Sequence, residues 1–191
     1  MALADKTLLI SASYIRQKTP LNDTLDDAYL TPAILLAQDK HAQDYLGTNL
    51  YEAILTKVND GSISDAGNAA YKALLDDFVR PMVVWWTLVE MHPYLISKVD
   101  NGGYVVRTSQ DTTIAPNASE ILNSWKRSAE HYTDRLYRYL CQYGSTFDEW
   151  SAAIDDGIHP SRRRPNSVSF IVGGQPISKS EEIFRIMTRD V

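Results

Sequence analysis

The residues nearest to doing chemistry are three acidic pairs, Asp26-Asp27, Asp76-Asp77 and Asp155-Asp156, and four histidines, His41, His92, His131 and His159. Paired carboxylates could hold the divalent ions of a phosphodiester-cleaving centre. Neighbouring residues on a helix point about 100° apart, however, so no such pair aims both carboxylates at one ion unaided. Helix N-terminal placement or plain solvation accounts for them equally well. No histidine falls in a spaced cluster with another histidine or with Cys141. The nearest local pairings, His41 with Asp44 and Glu90 with His92, are not ligand motifs. His41 and His131 fall on or beside the apolar stripes of their segments, where a half-buried ring with one hydrogen bond is expected. There is no phosphate-cradling glycine loop followed by lysine, no nucleophile elbow and no ladder of zinc ligands. The residues thus assign no catalytic group, no cofactor and no metal. Arg162-Arg163-Arg164, between Pro160 and Pro165, suits a phosphate or an acidic groove on a partner, or a basic linker.

The stretch that must position everything else runs from Tyr71 to Ile96. Tyr71, Leu75, Phe78, Met82, Trp85, Val89, His92 and Ile96 step by threes and fours, and Val79, Val83 and Trp86 widen the apolar surface around the cylinder. A helix apolar on so many sides needs several neighbours. Pro81 and Pro93 predict a kink or restart near Arg80 and again near His92. The uncharged run between Arg80 and Glu90 is nine residues, far short of the roughly twenty a bilayer requires, so this is a core and no membrane is implied.

Other helices follow from the same periodicity. A first one is expected from about Asp26 to Leu46, capped by Asp26 or Thr31, kinked or opened by Pro32 and stopped by Gly47; its apolar face holds Leu30, Ile34, Leu35, Ala42, Tyr45 and Leu46. A second presents Leu50, Tyr51, Ile54, Leu55 and Val58 before Asn59-Asp60-Gly61, and Ser64 is placed to cap a third that leads into the central stretch. Asn117 and Glu120 resemble a capping box opening a long helix through Ile121, Leu122, Trp125, Ala129, Tyr132, Leu136, Tyr139, Leu140 and Tyr143 to Gly144. Its Lys126, Arg127, Arg135 and Arg138 face is balanced in part by Glu130 and Asp134. Phe147, Trp150 and Ile154 add a turn or two. These readings predict a mainly α fold, a small bundle of four to five helices, with an ordered N-terminal arm over 1–25 and a body over 26–154. A long loop or loose hairpin covers 99–116, and an irregular extension over 155–191 contains a short strand or hairpin and a capping box at Ser178 and Glu181.

With 191 residues, 44% of them apolar and 23% charged, the chain supports one core rather than two. Eleven tyrosines and four tryptophans are many for that length and suit interfaces as well as cores. A lone cysteine and an N-terminus without a basic-then-apolar leader predict synthesis in a reducing compartment. Residues 1–95 carry twelve acids and seven bases while 96–191 carry twelve of each, so the whole net charge of -5 lies in the front half. Such a body disfavours tight non-specific DNA binding. Two segments are candidate partner surfaces: the 99–116 loop, with Tyr104, Val105, Val106 and Arg107, and the extension, with Arg162, Arg163, Arg164, Phe170, Ile171, Val172, Ile183 and Phe184. For the extension, a neighbour's surface is the expected support.

Leu9-Ile10-Ser11, Tyr14-Ile15, Thr19-Pro20-Leu21-Asn22-Asp23, Asp26-Asp27-Ala28-Tyr29-Leu30, Pro32-Ala33-Ile34, Ala37-Gln38-Asp39 and Leu46-Gly47-Thr48, followed by Leu50-Tyr51, resemble the head-tail connector (adaptor) proteins of tailed bacteriophages, closest to those of crAss-like phages. The likeness covers roughly residues 7–145, and the Thr-Pro-Leu-Asn-Asp stretch is its most specific part. It implies a structural virion protein, made in the host cytoplasm, that assembles as a ring, commonly twelvefold, under the portal protein at the head-tail junction. Such a ring extends the DNA channel towards the tail or other connector proteins, with genomic DNA passing transiently and non-specifically. The 99–116 loop or the C-terminal extension would join neighbouring subunits. The alternatives are a metal-dependent phosphodiesterase and a cytosolic helical binding module.

Overall fold

Met82, Val83, Leu88 and Met91 have no exposed surface, as a helix apolar on several sides requires once neighbours cover it. In the computed structural model the described residues are 6–19, 21, 25–100, 103–106, 118–151, 157–161, 170–172 and 175–177, with backbone alone at 96–100, 103–106, 118 and the last two stretches. The elements are α1 (Ala12–Lys18), α2 (Asp27–Ala37), α3 (Gln43–Asn59), α4 (Ala69–Leu74), α5 (Arg80–Ile96), β1 (Ser97–Asp100), β2 (Gly103–Val106), α6 (Ala118–Tyr143), α7 (Asp148–Ser151), β3 (Phe170–Val172) and β4 (Gln175–Ile177). Together they form the mainly helical small bundle expected from the sequence.

The central stretch is one rod, α4 continuing into α5 through a π-helical turn at Leu75–Val79. Pro81 has no N–H for the carbonyl four residues back, and its ring crowds that carbonyl; the wider turn just upstream absorbs both effects. The break expected near Arg80 is therefore a π turn. No second break occurs, because Pro93 lies inside α5, which continues to Ile96. Along the rod, Tyr71 meets Phe147, Phe78 stacks on Tyr139, the Trp86 indole N–H donates to Thr133 Oγ1 at 2.9 Å, and His92 meets Trp125 edge-on. Each step up the rod matches a step back along the chain, so α6 runs antiparallel to α5. α2 packs on α5 as well, making α5 the central helix.

Asp26 caps α2, its carboxylate accepting from Ala28 N–H at 3.0 Å, and Pro32 sits within that helix without ending it. Ser64 does not cap. Two 3-10 turns occupy Ser62–Ser64 and Ala66–Asn68, and Asp60 instead accepts from Ser62 N–H at 2.9 Å. Gly47 interrupts the helical path with φ 74 and ψ 162, a conformation essentially reserved for glycine. At this break the chain after Gly157 returns to its own body. Thr48 N–H donates to Ile158 O at 2.9 Å, Ile158 N–H donates to Thr48 Oγ1 at 2.8 Å, and Ser161 N–H donates to Asp44 O at 2.6 Å.

The arm is part of the core. Ser11 caps α1 by accepting from Tyr14 N–H at 3.1 Å, and Leu9, Ile10 and Ile15 are buried with Leu30, Ile34, Leu46, Leu50, Ile54 and Phe147. A π-helical turn at Gln38–Ala42 joins α2 to α3 and turns Gln38 inward, where it is wholly buried. Its Oε1 accepts from Leu9 N–H at 2.7 Å, and its Nε2 donates to Thr7 O at 3.3 Å and to the Tyr51 hydroxyl at 3.4 Å. Tyr51 in turn donates to Asp39 at 3.1 Å. Burial of its ring pushes the Tyr51 phenol far above its ordinary range. Arg80 closes the arm from the other side, donating to Leu9 O at 3.0 Å.

Candidate interaction surface

The residues closest to a chemical centre meet where the Gln38–Ala42 turn crosses α5. Glu90 Oε1 accepts from Lys40 Nζ and from His41 Nε2, each at 2.8 Å, and the His41 ring lies flat on Trp86 with centroids 3.7 Å apart. Sequence proximity had offered Asp44 for His41 and His92 for Glu90; the fold instead joins His41 to Glu90 across 49 positions. Burial lowers the His41 pKa, a fall that Glu90 only partly offsets. Burial alone would raise Glu90, but hydrogen bonds from Lys40 and His41 hold its carboxyl below the ordinary value. The pair is thus a neutral imidazole donating to a carboxylate. Among the described residues no group of three or more His, Cys, Asp or Glu side chains converges for a metal ion. A positioning role, clamping the turn to α5, fits this geometry.

A pH dependence follows. Both folded-state values are depressed, so both contributions are present at neutral pH and fade on acidification. His41's is complete above its ordinary 6.5 and declines as pH falls through its lowered value, and Glu90's goes below 4.5. The thermal midpoint is expected to fall between pH 7 and 5. His41→Gln, which keeps a neutral donor, is expected to flatten that segment of the curve; an unchanged slope in the variant would remove His41 as its source.

Outward, α6 and α5 form an open groove of about 390 Å³ lined by Trp85, Ser124, Arg127, Ser128, His131 and Tyr132. His131 is exposed at its edge, not half-buried on or beside the apolar stripe as the sequence suggested. Arg127 makes no ion pair among the described residues, whereas Arg138 is paired with Asp134 at 2.5 Å. On α2, Tyr29 and Leu36 are 45% and 42% exposed, and with exposed Pro32 they form a ridge at spacings of three and four. This surface escaped the sequence reading because α2 is apolar nearly all round, so its outer face carries no polar mark.

Of the sequence-predicted interface, Tyr104, Val105 and Val106 lie in β2, paired antiparallel with β1 at Val99, Lys98 and Ser97. The 99–116 segment thus begins as the hairpin alternative, with two residues between the paired ends. Phe170, Ile171 and Val172 form β3 and pair with Ile177, Pro176 and Gln175. Arg107, Arg162, Arg163, Arg164, Ile183 and Phe184 lie outside the described residues, as do Asn117 and the Ser178-Glu181 box. The described start of the extension, residues 157–161, rests on its own body at Gly47. Among the described residues no helix is long and apolar enough to cross a membrane.

A family model described as a family of unknown function, DUF6712, matches residues 42–155. No curated protein and no solved structure matches the chain.

Proposed function

Because the chain belongs to the DUF6712 family of unknown function, which leaves its role open, we propose that it is a structural virion protein, a ring-forming head-tail connector subunit docking below a phage portal and extending the DNA channel to the tail. The observation that carries the reading is the surface. Large apolar side chains stand exposed on α2, α5 and α6, namely Tyr29, Leu36, Tyr94, Ile121 and Tyr143, on a helical body from which a β1–β2 hairpin continues directly after α5. Exposed tyrosine and aliphatic side chains of this size suit protein contacts. The resemblance of residues 7–145 to connector proteins supplies the kind of assembly. Heterologous contacts around an axis would close the ring, and the acidic front half would let DNA pass without sticking.

The test is the mass of the purified protein by light scattering, alone and with its cognate portal. A ring, or a monomer that joins the portal at fixed stoichiometry, is the expected result. A chain ending at Ser161 keeps the contacts at Gly47 and Thr48, and is expected to remain folded while no longer docking. Normal docking by that truncated chain would exclude the extension as the joining element. A monomer indifferent to the portal would favour a binding module using the groove beside Trp85.

A further inference from the structure

We propose that the cleft between the two π-helical turns, Gln38–Ala42 and Leu75–Val79, is a binding site for an extended peptide, and that in the assembled ring it takes residues 6–18 of the adjacent copy in place of the chain's own; the inference rests on the ring reading above and names an element that joins the copies. Both turns face one residue of the arm. Gln38 opens the first turn and Arg80 directly follows the second. Gln38 Oε1 accepts from Leu9 N–H at 2.7 Å, its Nε2 donates to Thr7 O at 3.3 Å, and Arg80 Nε donates to Leu9 O at 3.0 Å. Residues 6–11 belong to no helix or strand, so side chains here do for the arm's main chain what a neighbouring strand does in a sheet. Single π turns recur at functional sites, and two of them converging on one peptide make a built cleft.

The cleft reads more than main chain. Leu9 and Ile10 are 1% and 3% exposed, Lys6 pairs with Asp39 at 2.5 Å, and Thr7 Oγ1 donates to Asn59 Oδ1 at 3.3 Å. Its ligand is thus an extended segment with a basic residue three positions before two adjacent buried aliphatics. Every copy carries that ligand. None of these contacts depends on arm and cleft sharing one chain, so exchange restores each of them at low cost. The connection is long enough. Eight residues, 19–26, link α1 to α2, and fully extended they reach about 26 Å, against roughly 8–10 Å between packed helices. Thr19 already has the extended backbone, φ -133 and ψ 160, that a following proline favours. Passing each arm to the next body is a heterologous contact and propagates around an axis. A copy without a neighbour keeps its own arm, which is the arrangement seen here.

The experiment is disulfide trapping in the full chain with exposed Cys141 replaced by serine. Thr7→Cys and Asn59→Cys each put one thiol at the rim of the cleft. The two chains, mixed with and without the cognate portal and mildly oxidised, are expected to give a covalent dimer at least tenfold above either chain alone, and the double variant a ladder of oligomers. A double variant that closes only an internal bond, with no mixed dimer, would overturn the exchange. So would a double variant that forms no bond at all, since the arm would then not lie beside Asn59. Light scattering of the unsubstituted chain, alone and with portal, separates this from the ring reading. Assembly without bonds between copies means that the ring is joined elsewhere and the exchange is wrong; linked chains that never grow past a dimer support the exchange and remove the ring. If the chain neither assembles nor cross-links, both fall.

Discussion

Replacing Gly47 by alanine is expected to lower the thermal midpoint by roughly 10 °C and to release the segment around Ile158. The backbone there has φ 74 and ψ 162, a region that costs a non-glycine residue about 1–3 kcal/mol. A Cβ would also stand 2.6 Å from Pro160 Cγ and 2.7 Å from its Cδ, closer than van der Waals contact, so Pro160 must move. Moving it strains the hydrogen bonds between Thr48 and Ile158. The combined cost is about 3 kcal/mol, and each kcal/mol is worth roughly 2–4 °C in a chain of this size. Gly61→Ala is the control, since Gly61 has φ 78 but nothing within 4 Å of an added Cβ; it is expected to lose about 1 kcal/mol through its left-handed backbone alone. Amide exchange at Ile158 should accelerate in the Gly47 variant only. Equal losses in the two variants would mean that the contact with Pro160 contributes nothing.

Gln38→Ala is expected to cost about 3 kcal/mol in urea unfolding. Leu9 N–H would lose its acceptor while remaining almost wholly buried, and an unsatisfied buried donor costs roughly 1–3 kcal/mol. The vacated space adds a cavity term of about 1 kcal/mol or more. Gln38→Met refills the space without restoring the acceptor, so the difference between the two variants separates packing from the hydrogen bond. If both match the parent protein, Gln38 does not hold the arm.

The helical elements were legible because their residues recur at threes and fours: the rod from Tyr71 and α6 appear nearly where the periodicity placed them. Gly47 and Gly61 were legible as stops because both adopt positive φ. Less visible was whatever depended on residues distant in sequence. Nothing local to His41 points to Glu90, and nothing in the arm, broken by Thr19-Pro20, announces that Gln38 will draw Leu9 inside. α1 was hidden for another reason: it has only seven residues, too few for a periodic signal. The candidate surface was half legible. Tyr104-Val105-Val106 stood out as β-prone residues in a helical chain while their partner strand Ser97–Asp100 did not, and the α2 ridge looked like core and the groove exists only once α6 lies beside Trp85.

The place of the arm has a bearing on how the family's span is understood. The stretch shared with the family begins at residue 42, yet Leu9, Ile15, Leu30 and Ile34 are among the largest fully buried side chains, and all precede it. The boundary of inherited similarity and the boundary of cooperative folding therefore do not coincide. A polypeptide cut to the shared stretch would expose one wall of α5 and leave Arg80 without the Leu9 carbonyl. Relatives that keep only that stretch would need another segment, or a neighbouring chain, to serve as the missing wall.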